Sequence, residues 1–303
     1  MRQAAEDQAP PDATTLVAFG LLVVLAGGNA VGIDIAADEL DPFWAASLRF
    51  AGAGLIFTAL MVARRVALPR GGALAGALLY GGLTFGAAFG IAFVAIPMTG
   101  AGAGQLLLGL VPLLTLLLVP IHGIEPFRLR AVLGSLLALV GVAILAADRI
   151  SLDIPWQGIG LAFIAALILA EAGVVVKMTP RAHPIATNAV AMLTGVALLI
   201  PLSWLAGEAW ILPTQSDTWA AMAYLVFVGS VAVFWLFLFV IGRWTASAVS
   251  FQFLLIPMTT IPFSALLTGE VVTPIMLLGG AVILAGVYLG ALAPDRWTGR
   301  PST

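Results

Sequence analysis

The sequence predicts an all-α polytopic membrane protein with ten transmembrane helices arranged as two inverted five-helix repeats. Of its 303 residues, 61% are hydrophobic and only 9% are charged, and water could not solvate a globule of that composition. Ten apolar stretches approach the ~20 residues that a helix needs to cross a bilayer. In addition, the second half repeats a pattern of the first half at an offset of 145 residues.

The ten predicted spans follow one another with short turns. Residues 1–13 are acidic and contain proline, without the basic segment and cleavage site of a signal peptide, so we predict a tail before an uncleaved first span. The spans are predicted at 14–37, 43–63, 72–95, 99–121, 129–147, 157–177, 184–206, 218–241, 245–268 and 273–293. The predicted domains are a tail at 1–13, a first repeat at 14–147, a second, inverted repeat at 157–293 and a tail at 294–303.

The internal repeat extends over both halves at two slightly different offsets. A shift of 145 residues superposes ten positions, among them Thr115 on Thr260 and Gly134 on Gly279. A shift of 142 residues places Pro42 on Pro184. Because each copy holds five spans, an odd number, the second copy is inverted relative to the first. Inverted repeats are the architecture of alternating-access transporters.

Basic residues gather on one side of the predicted membrane. All but two of the 13 lysines and arginines fall there, the exceptions being Arg149 in an opposite loop and Arg49 within span 2. Cytoplasmic loops are rich in such residues, so both termini are predicted to be cytoplasmic in a multi-pass protein of a bacterial inner membrane. The net charge is −2 and no basic face stands out, so nucleic acid is not expected to be a partner.

No metal or cofactor is expected. Cysteine is absent, which removes disulfides and thiolate ligands. The two histidines, His122 and His183, lie at predicted helix ends without ligand-like spacing.

Several motifs together resemble a known family. They are Gly27-Gly28-Asn29-Ala30-Val31 in span 1, Leu48-Arg49-Phe50 in span 2, Pro112 before Glu125, Gly134 with Gly141-Val142, and the matching Pro257, Glu270, Gly279 and Gly286-Val287. With them the chain resembles the drug/metabolite transporter superfamily, in its EamA-type branch of ten-span exporters, and within it the bacterial aromatic amino-acid exporters. This resemblance implies an exporter with a central cavity between two five-helix halves.

Polar groups are costly to place in the bilayer interior, so each one is expected to have a structural or functional role. Glu171 lies well inside span 6, and its repeat mate at offset 142 is Asn29. Glu171 is either a proton-coupling or amine-binding acid of a cavity, or an acid paired with a neighbouring helix or with Lys177. Asn29 either binds substrate or joins two helices by a hydrogen bond.

Arg49 is expected to form a structural ion pair with Asp34, which lies at a similar depth at the end of span 1. Anion recognition is the alternative. Neutral polar groups in spans 4 and 9 either hold a zwitterion or only pack helices together; they are Gln105, Ser247, Ser250 and Gln252.

Two prolines occupy mirrored places, Pro112 in span 4 and Pro257 in span 9. Each ring removes the backbone bond to the carbonyl four residues earlier, on Leu108 and Phe253. These sites are predicted to be hinges or binding-site walls, with a static bend as the alternative.

Aromatic residues in spans 3 and 8 are candidates for an apolar cavity wall. The set comprises Tyr80, Phe85, Phe89, Phe93, Phe227, Phe234 and Trp235. Phe85, Phe89 and Phe93 recur every four residues and so share one helix face. The alternative is a stripe that faces lipid.

Glu125 and Glu270 precede spans 5 and 10. At those places an acid would complement the helix N-terminus, so capping is the expected role.

The sequence favours a secondary transporter, not an enzyme, that exports amino acids or similar small metabolites. Its expected partners are that substrate, membrane lipid and, where transport is proton-coupled, protons, in a monomer or homodimer. One alternative is an intramembrane lipid-handling enzyme, suggested by Asp34, Asp38 and Glu39, although no catalytic motif accompanies them. The others are a structural or receptor-like bundle, and an exchanger of another metabolite class, which would place more basic residues in the bundle.

Overall fold

The protein is a bundle of helices joined by turns. We describe it from a computed structural model, which covers residues 11–145, 155–268 and 273–292; every regular element in these ranges is helical. The first half contains helices Ala13–Ala26, Asn29–Ala37, Pro42–Ala63, Gly72–Gly81, Phe89–Leu108, Val111–Ile121 and Leu129–Leu145, with a π-helical segment Gly82–Ala88. The second half contains Trp156–Met178, Pro184–Ala206, Ser216–Val226, Val233–Ile241, Ala246–Ser250, Gln252–Thr268 and Pro274–Val287, with π-helical segments Phe227–Ala232 and Tyr288–Leu292.

These helices form the ten predicted spans. Seven helical stretches among the described residues are long and apolar enough to cross a membrane. Three shorter apolar helices, Leu106–Ile121, Leu129–Leu145 and Ala246–Thr260, supply the other three spans. Leucines such as Leu55 and Leu136 are exposed in mid-helix, as expected where helices face lipid tails instead of water.

The turn predicted between spans 3 and 4 is not a break in the helix. Helix Phe89–Leu108, with Pro97 inside it, runs through that position. The helix instead bends sharply. The bend is evident from a short distance, since a Cβ placed on Gly104 would lie 3.7 Å from the side chain of Ile96. A straight helix separates two such residues by ~12 Å. A proline removes one backbone bond and commonly kinks a helix, so the chain reverses through a helical bend.

Proline and short polar side chains fix where several spans begin. Pro42, Pro184 and Pro274 stand in the first turns of spans 2, 7 and 10, where the missing N–H has no helical partner anyway. The Asp12 carboxylate accepts a hydrogen bond from Thr15 N at 2.8 Å at the start of span 1, and Thr245 caps Ala248 N at 3.2 Å in span 9. Such caps satisfy otherwise unpaired N–H groups.

Repeat mates form the two most extensive helix pairs, span 2 with span 7 and span 5 with span 10. Glycine permits the close approach of the second pair. A Cβ on Gly141 would lie 2.6 Å from the backbone nitrogen of Ile283, and a Cβ on Gly279 would lie 2.8 Å from that of Leu145. Small residues let backbones meet in this way in membrane helices. The motif glycines of both halves therefore interlock across one interface.

Spans 3 and 8 take mirrored places in the two halves. Span 3 packs on spans 6 and 7, and span 8 packs on spans 1 and 2. Their π-helical segments, Gly82–Ala88 and Phe227–Ala232, begin 145 residues apart, which is the offset of the sequence repeat. The irregular backbone therefore belongs to the repeated unit. Such π-segments often mark functional sites.

One end of the bundle carries Glu39, Asp41 and Glu208, which we call the acidic face, and the other end carries Arg64, Lys177 and Arg243, which we call the basic face. At the acidic face the loop between spans 7 and 8 packs on the start of span 2. The Glu208 carboxylate accepts hydrogen bonds from Phe43 N and Trp44 N at 3.0 and 2.8 Å. An acid at that place complements the helix N-terminus, so the loop is held onto span 2.

Replacing Gly141 with leucine is expected to destabilise the protein by about 3 kcal/mol, because the added side chain would meet backbone atoms, which cannot move aside as a flexible side chain can. Gly160→Leu is the matched control, since it lies in an exposed part of span 6 with open space around it. The measurement is the thermal unfolding midpoint in detergent. Equal midpoints for the two variants would contradict the interlocked interface.

Glu39 should make the acidic-face loop sensitive to acid. Hydrogen bonds from Thr214, and a weaker one from Gln215 N, lower the pKa of Glu39 to about 2. A pKa below its unfolded value of 4.5 means that the stabilisation is complete above pH 4.5 and is lost as the pH falls towards 2. Glu39→Gln should therefore be less stable than wild type at pH 7, and this difference should shrink at pH 3. If the stability difference between wild type and Glu39→Gln does not change with pH, the Glu39 carboxylate does not stabilise the loop in this way.

Candidate functional site

A cavity of about 90 Å³ lies between the two halves. Its lining comes from spans 1, 3 and 4 of the first half and from their repeat mates, spans 6, 8 and 9, of the second. A second cavity of about 390 Å³ opens towards the basic face and is lined in part by Lys177 and Arg243. The two cavities share Tyr80 and Ile241. These two side chains therefore separate the central cavity from the larger one.

Aromatic rings form one wall of the central cavity. Phe89 and Phe234 line it with their ring centroids 5.8 Å apart, and Tyr80 stacks on Phe237 at 6.2 Å. Phe85 packs behind them, 4.7 Å from Phe234. The stripe does not face lipid, because Phe85 and Phe93 are buried. Phe85 itself does not line the cavity, since its ring lies on the far side of the wall.

Polar groups on several spans face the same space. Asn29, Thr84, Ser250 and Gln252 line the cavity together with Tyr80. The hydroxyls of Tyr80 and Thr84 are buried and have no hydrogen-bond partner within the described part of the chain. Buried polar groups are rarely left unpaired. The arrangement can therefore hold a small molecule with an apolar body and a few hydrogen-bonding groups.

Span 1 is broken at Gly27-Gly28, next to Asn29. The Leu25 carbonyl accepts a hydrogen bond from the Tyr224 hydroxyl at 2.6 Å, and the Gly27 carbonyl accepts one from Thr260 at 2.9 Å. Irregular backbone at membrane depth requires partners of this kind. A Cβ on Gly28 would collide with the Tyr224 ring, so the break depends on glycine.

Arg49 does not form the predicted ion pair with Asp34. Its guanidinium is fully buried and donates from Nε to Ser230 Oγ at 2.8 Å, and from Nη2 to Asn29 Oδ1 at 3.0 Å and to the Gly229 carbonyl at 2.9 Å. Asp34 is exposed, because it lies on the opposite face of its helix. Arg49 therefore links spans 1, 2 and 8 beside the cavity.

Comparison with known proteins identifies the family. The sequence model described as the EamA-like transporter family matches residues 14–147 and again 156–291. The chain belongs to the EamA-like transporter family. A solved structure described only as "Crystal structure of protein" has the same fold, with a TM-score of 0.77, 19% identity and coverage of 94% of this chain and 99% of that one. Among curated proteins no match is found.

In this transporter Glu171 does not line the central cavity. Its carboxylate Oε1 lies 3.3 Å from Nε2 of His122, at the end of span 4. The neighbouring residues Ala172 and Gly173 line the cavity instead, because they point to the other side of the helix. Glu171 is thus an acid paired with a neighbouring helix, and both members of the pair are partly exposed.

Glu125 caps a different helix from the expected one. It accepts a hydrogen bond from the backbone nitrogen of Ser247 at 3.2 Å and a short one from the Ser247 hydroxyl. It therefore stabilises the start of span 9 in the other half, not span 5. This bond also keeps Ser247 out of the cavity. Glu270, its repeat mate, lies outside the described residues.

The two mirrored prolines differ in their local structure. In span 4 the helix is interrupted at Gly109-Leu110, just before Pro112. In span 9 helix Gln252–Thr268 runs through Pro257, and the interruption falls at Phe251. Neither ring lines the cavity. A hinge role for both prolines stays a prediction.

Two other predicted cavity residues lie elsewhere. Trp235 is 40% exposed and stacks on Phe239, at 5.6 Å between ring centroids, because its helix turns it outward. The side chain of Gln105 lies outside the described part of the chain.

Sequence reasoning gave no role to Thr84, Thr115 or Phe237, all of which line the cavity. The repeat itself carried a usable signal. Phe89 and Phe234 stand 145 residues apart, as do the buried threonines Thr115 and Thr260. Equivalent residues in an inverted repeat approach the same central axis, so repeated aromatic or hydroxyl side chains in spans 3, 4, 8 and 9 indicate the cavity.

Proposed function

We propose that this transporter exports amino acids or similar small, partly apolar metabolites across a bacterial cytoplasmic membrane by alternating access. The observation that carries the proposal is the central cavity between repeat-related spans, with an aromatic wall facing neutral polar groups. Substrate sites of inverted-repeat transporters lie at such repeat interfaces. An aromatic wall suits an apolar side chain, while Asn29, Ser250 and Gln252 suit the polar end of an amino acid.

The basic face is proposed to be the cytoplasmic one, with both termini on that side, since cytoplasmic loops are rich in arginine and lysine. The larger cavity then opens to the cytoplasm, and Tyr80 and Ile241 separate it from the central cavity. At the opposite face the loop held by Glu208 covers the start of span 2. Cargo would enter from the cytoplasm past Tyr80, and rocking of the halves would then open the other side.

The described lining of the central cavity contains no lysine, arginine, aspartate or glutamate. A carrier of phosphorylated metabolites would be expected to bind the phosphate with such basic side chains. The uncharged lining favours a cargo with small net charge.

The test is transport by purified protein in proteoliposomes. These are loaded in separate experiments with amino acids, with uncharged metabolites of similar size and with phosphorylated metabolites. Efflux of at least one partly apolar amino acid, well above that of protein-free liposomes, is expected. Transport confined to phosphorylated compounds, or none for any amino acid, would refute the proposed cargo.

We propose the paired Glu171 and His122 as the site of proton coupling, since a carboxylate and an imidazole lie 3.3 Å apart here and join spans 6 and 4. Glu171→Gln keeps the shape of the side chain but removes the charge. We expect this variant to lose the response of efflux to a pH gradient while remaining folded. Asp217→Asn, an exposed acid at the start of span 8, is the control and should behave as wild type. Unchanged coupling in Glu171→Gln would assign the pair to structure.

A further inference from the structure

Arg49 is a buried cation for which the described part of the chain provides no counter-ion. None of its surface is exposed, and among the described residues no carboxylate lies within 4.0 Å of it. A guanidinium has five N–H groups. Within the described residues its three bonds go to neutral oxygens on Asn29, Ser230 and Gly229, and Nη1 has no acceptor there. An isolated charge away from water is strongly unfavourable. Among the residues that the structure describes, the site therefore lacks a negatively charged partner.

The fold by itself does not require an arginine there. In the second half the equivalent position, 142 residues on, is Ala191. At that place spans 3 and 7 meet directly, since a Cβ on Gly81 would lie 2.6 Å from the Ala191 Cα. Span 2 contacts span 8 more loosely, with the side chain of Val226 3.2 Å from a Cβ placed on Gly52. The repeated contact is thus made with alanine in one half and with a buried cation in the other.

A single layer of side chains separates Arg49 from the central cavity. Asn29 lines the cavity and binds Nη2. Phe89 also lines it, and its ring centroid lies 5.1 Å from the guanidinium carbon. Rotation of these two side chains would open the guanidinium to the cavity. Its terminal nitrogens, Nη1 and Nη2, form the fork that binds a carboxylate through two parallel hydrogen bonds.

The partners of Arg49 belong to irregular parts of their helices. Asn29 begins the helix that follows the break in span 1, and Gly229 and Ser230 lie in the π-helical segment of span 8. Such segments are frequent at functional sites. Two of the three neutral oxygens, those of Asn29 and Ser230, belong to side chains. A ligand oxygen can therefore replace them without breaking a backbone bond of a helix.

We propose that Arg49 is the specificity-determining residue of this transporter and binds the carboxylate group of its substrate. Asn29 Oδ1 occupies the place that one carboxylate oxygen of the substrate would take. This inference rests on the proposed function, because it names the group by which the amino acid would be recognised. It restricts the cargo to carboxylates and excludes the corresponding amines and amides.

The test compares L-phenylalanine and L-leucine with their amides, which differ only in the carboxylate. Binding is measured as concentration-dependent thermal stabilisation and transport as efflux from proteoliposomes. Wild type should prefer the free acids by at least about tenfold, a preference that Arg49→Gln should reduce to within about twofold. Arg49→Lys, which keeps the charge but not the fork, should be intermediate.

A second variant guards against a simple loss of folding. Asn29→Asp places a carboxylate on the existing bond to Arg49 without changing its size. If Arg49 binds the substrate carboxylate, this internal acid competes with it, so the melting temperature should rise while affinity for the free acids falls at least about tenfold. If Arg49 only holds helices together, the acid in Asn29→Asp still repels free acids from the cavity, but a folded Arg49→Gln protein keeps the wild-type preference for acid over amide.

The outcomes separate the two proposals. Transport of amides as well as acids by wild type, or a preserved preference in a folded Arg49→Gln protein, would overturn the role of Arg49 and leave amino-acid export standing. Absence of binding and transport for every acid and amide would overturn both.

Discussion

The constraint on which this structure depends is that no water is available in the membrane interior to satisfy polar groups. Span 1 can break at Gly27-Gly28 only because its carbonyls find donors, and those donors are Tyr224 and Thr260 of the second half. The backbone nitrogen of Ser247 at the start of span 9 likewise finds its partner in the opposite half, the carboxylate of Glu125. Irregular backbone therefore occurs where the two halves meet. This requirement places Asn29 at the cavity.

The interfaces between spans differ in what they allow. Spans 5 and 10 interlock through backbone contacts at Gly141 and Gly279, and such contacts cannot slide without separating the helices. Around the cavity the neighbouring spans meet mostly through rings such as Phe89 and Phe234, which can change rotamer. A motion between two states would therefore leave spans 5 and 10 as a fixed pair and change the packing of spans 3 and 8. The π-helical segments Gly82–Ala88 and Phe227–Ala232 lie in these two spans.

The sequence predicted the ten spans and the paired starts of spans 2 and 7 because hydropathy, proline and repeat offsets are properties of one segment at a time. It did not predict the partners of Arg49. Sequence position gives the depth of a side chain in the membrane, and Asp34 has a suitable depth, but the two residues face different directions. Glu125 failed in the same way: its nearest helix in sequence is not its nearest helix in space. Sites formed between distant segments need the packing itself.

The repeat is inverted, but its two halves are not equal, and this inequality bears on how a ligand could control the transporter. If the two states of a rocking bundle exchanged equivalent contacts, the contact between spans 2 and 8 would have to become like that between spans 3 and 7. Arg49 stands in the first contact and Ala191 in the second, so the exchange cannot be exact.

A backbone contact at alanine offers a ligand no group to bind. The buried cation Arg49 offers a ligand its N–H donors, because a negatively charged group competes with the neutral oxygens for them. A ligand can change the relative stability of two states only through a difference in its interactions with them. Control by the cargo should therefore act on the contact between spans 2 and 8.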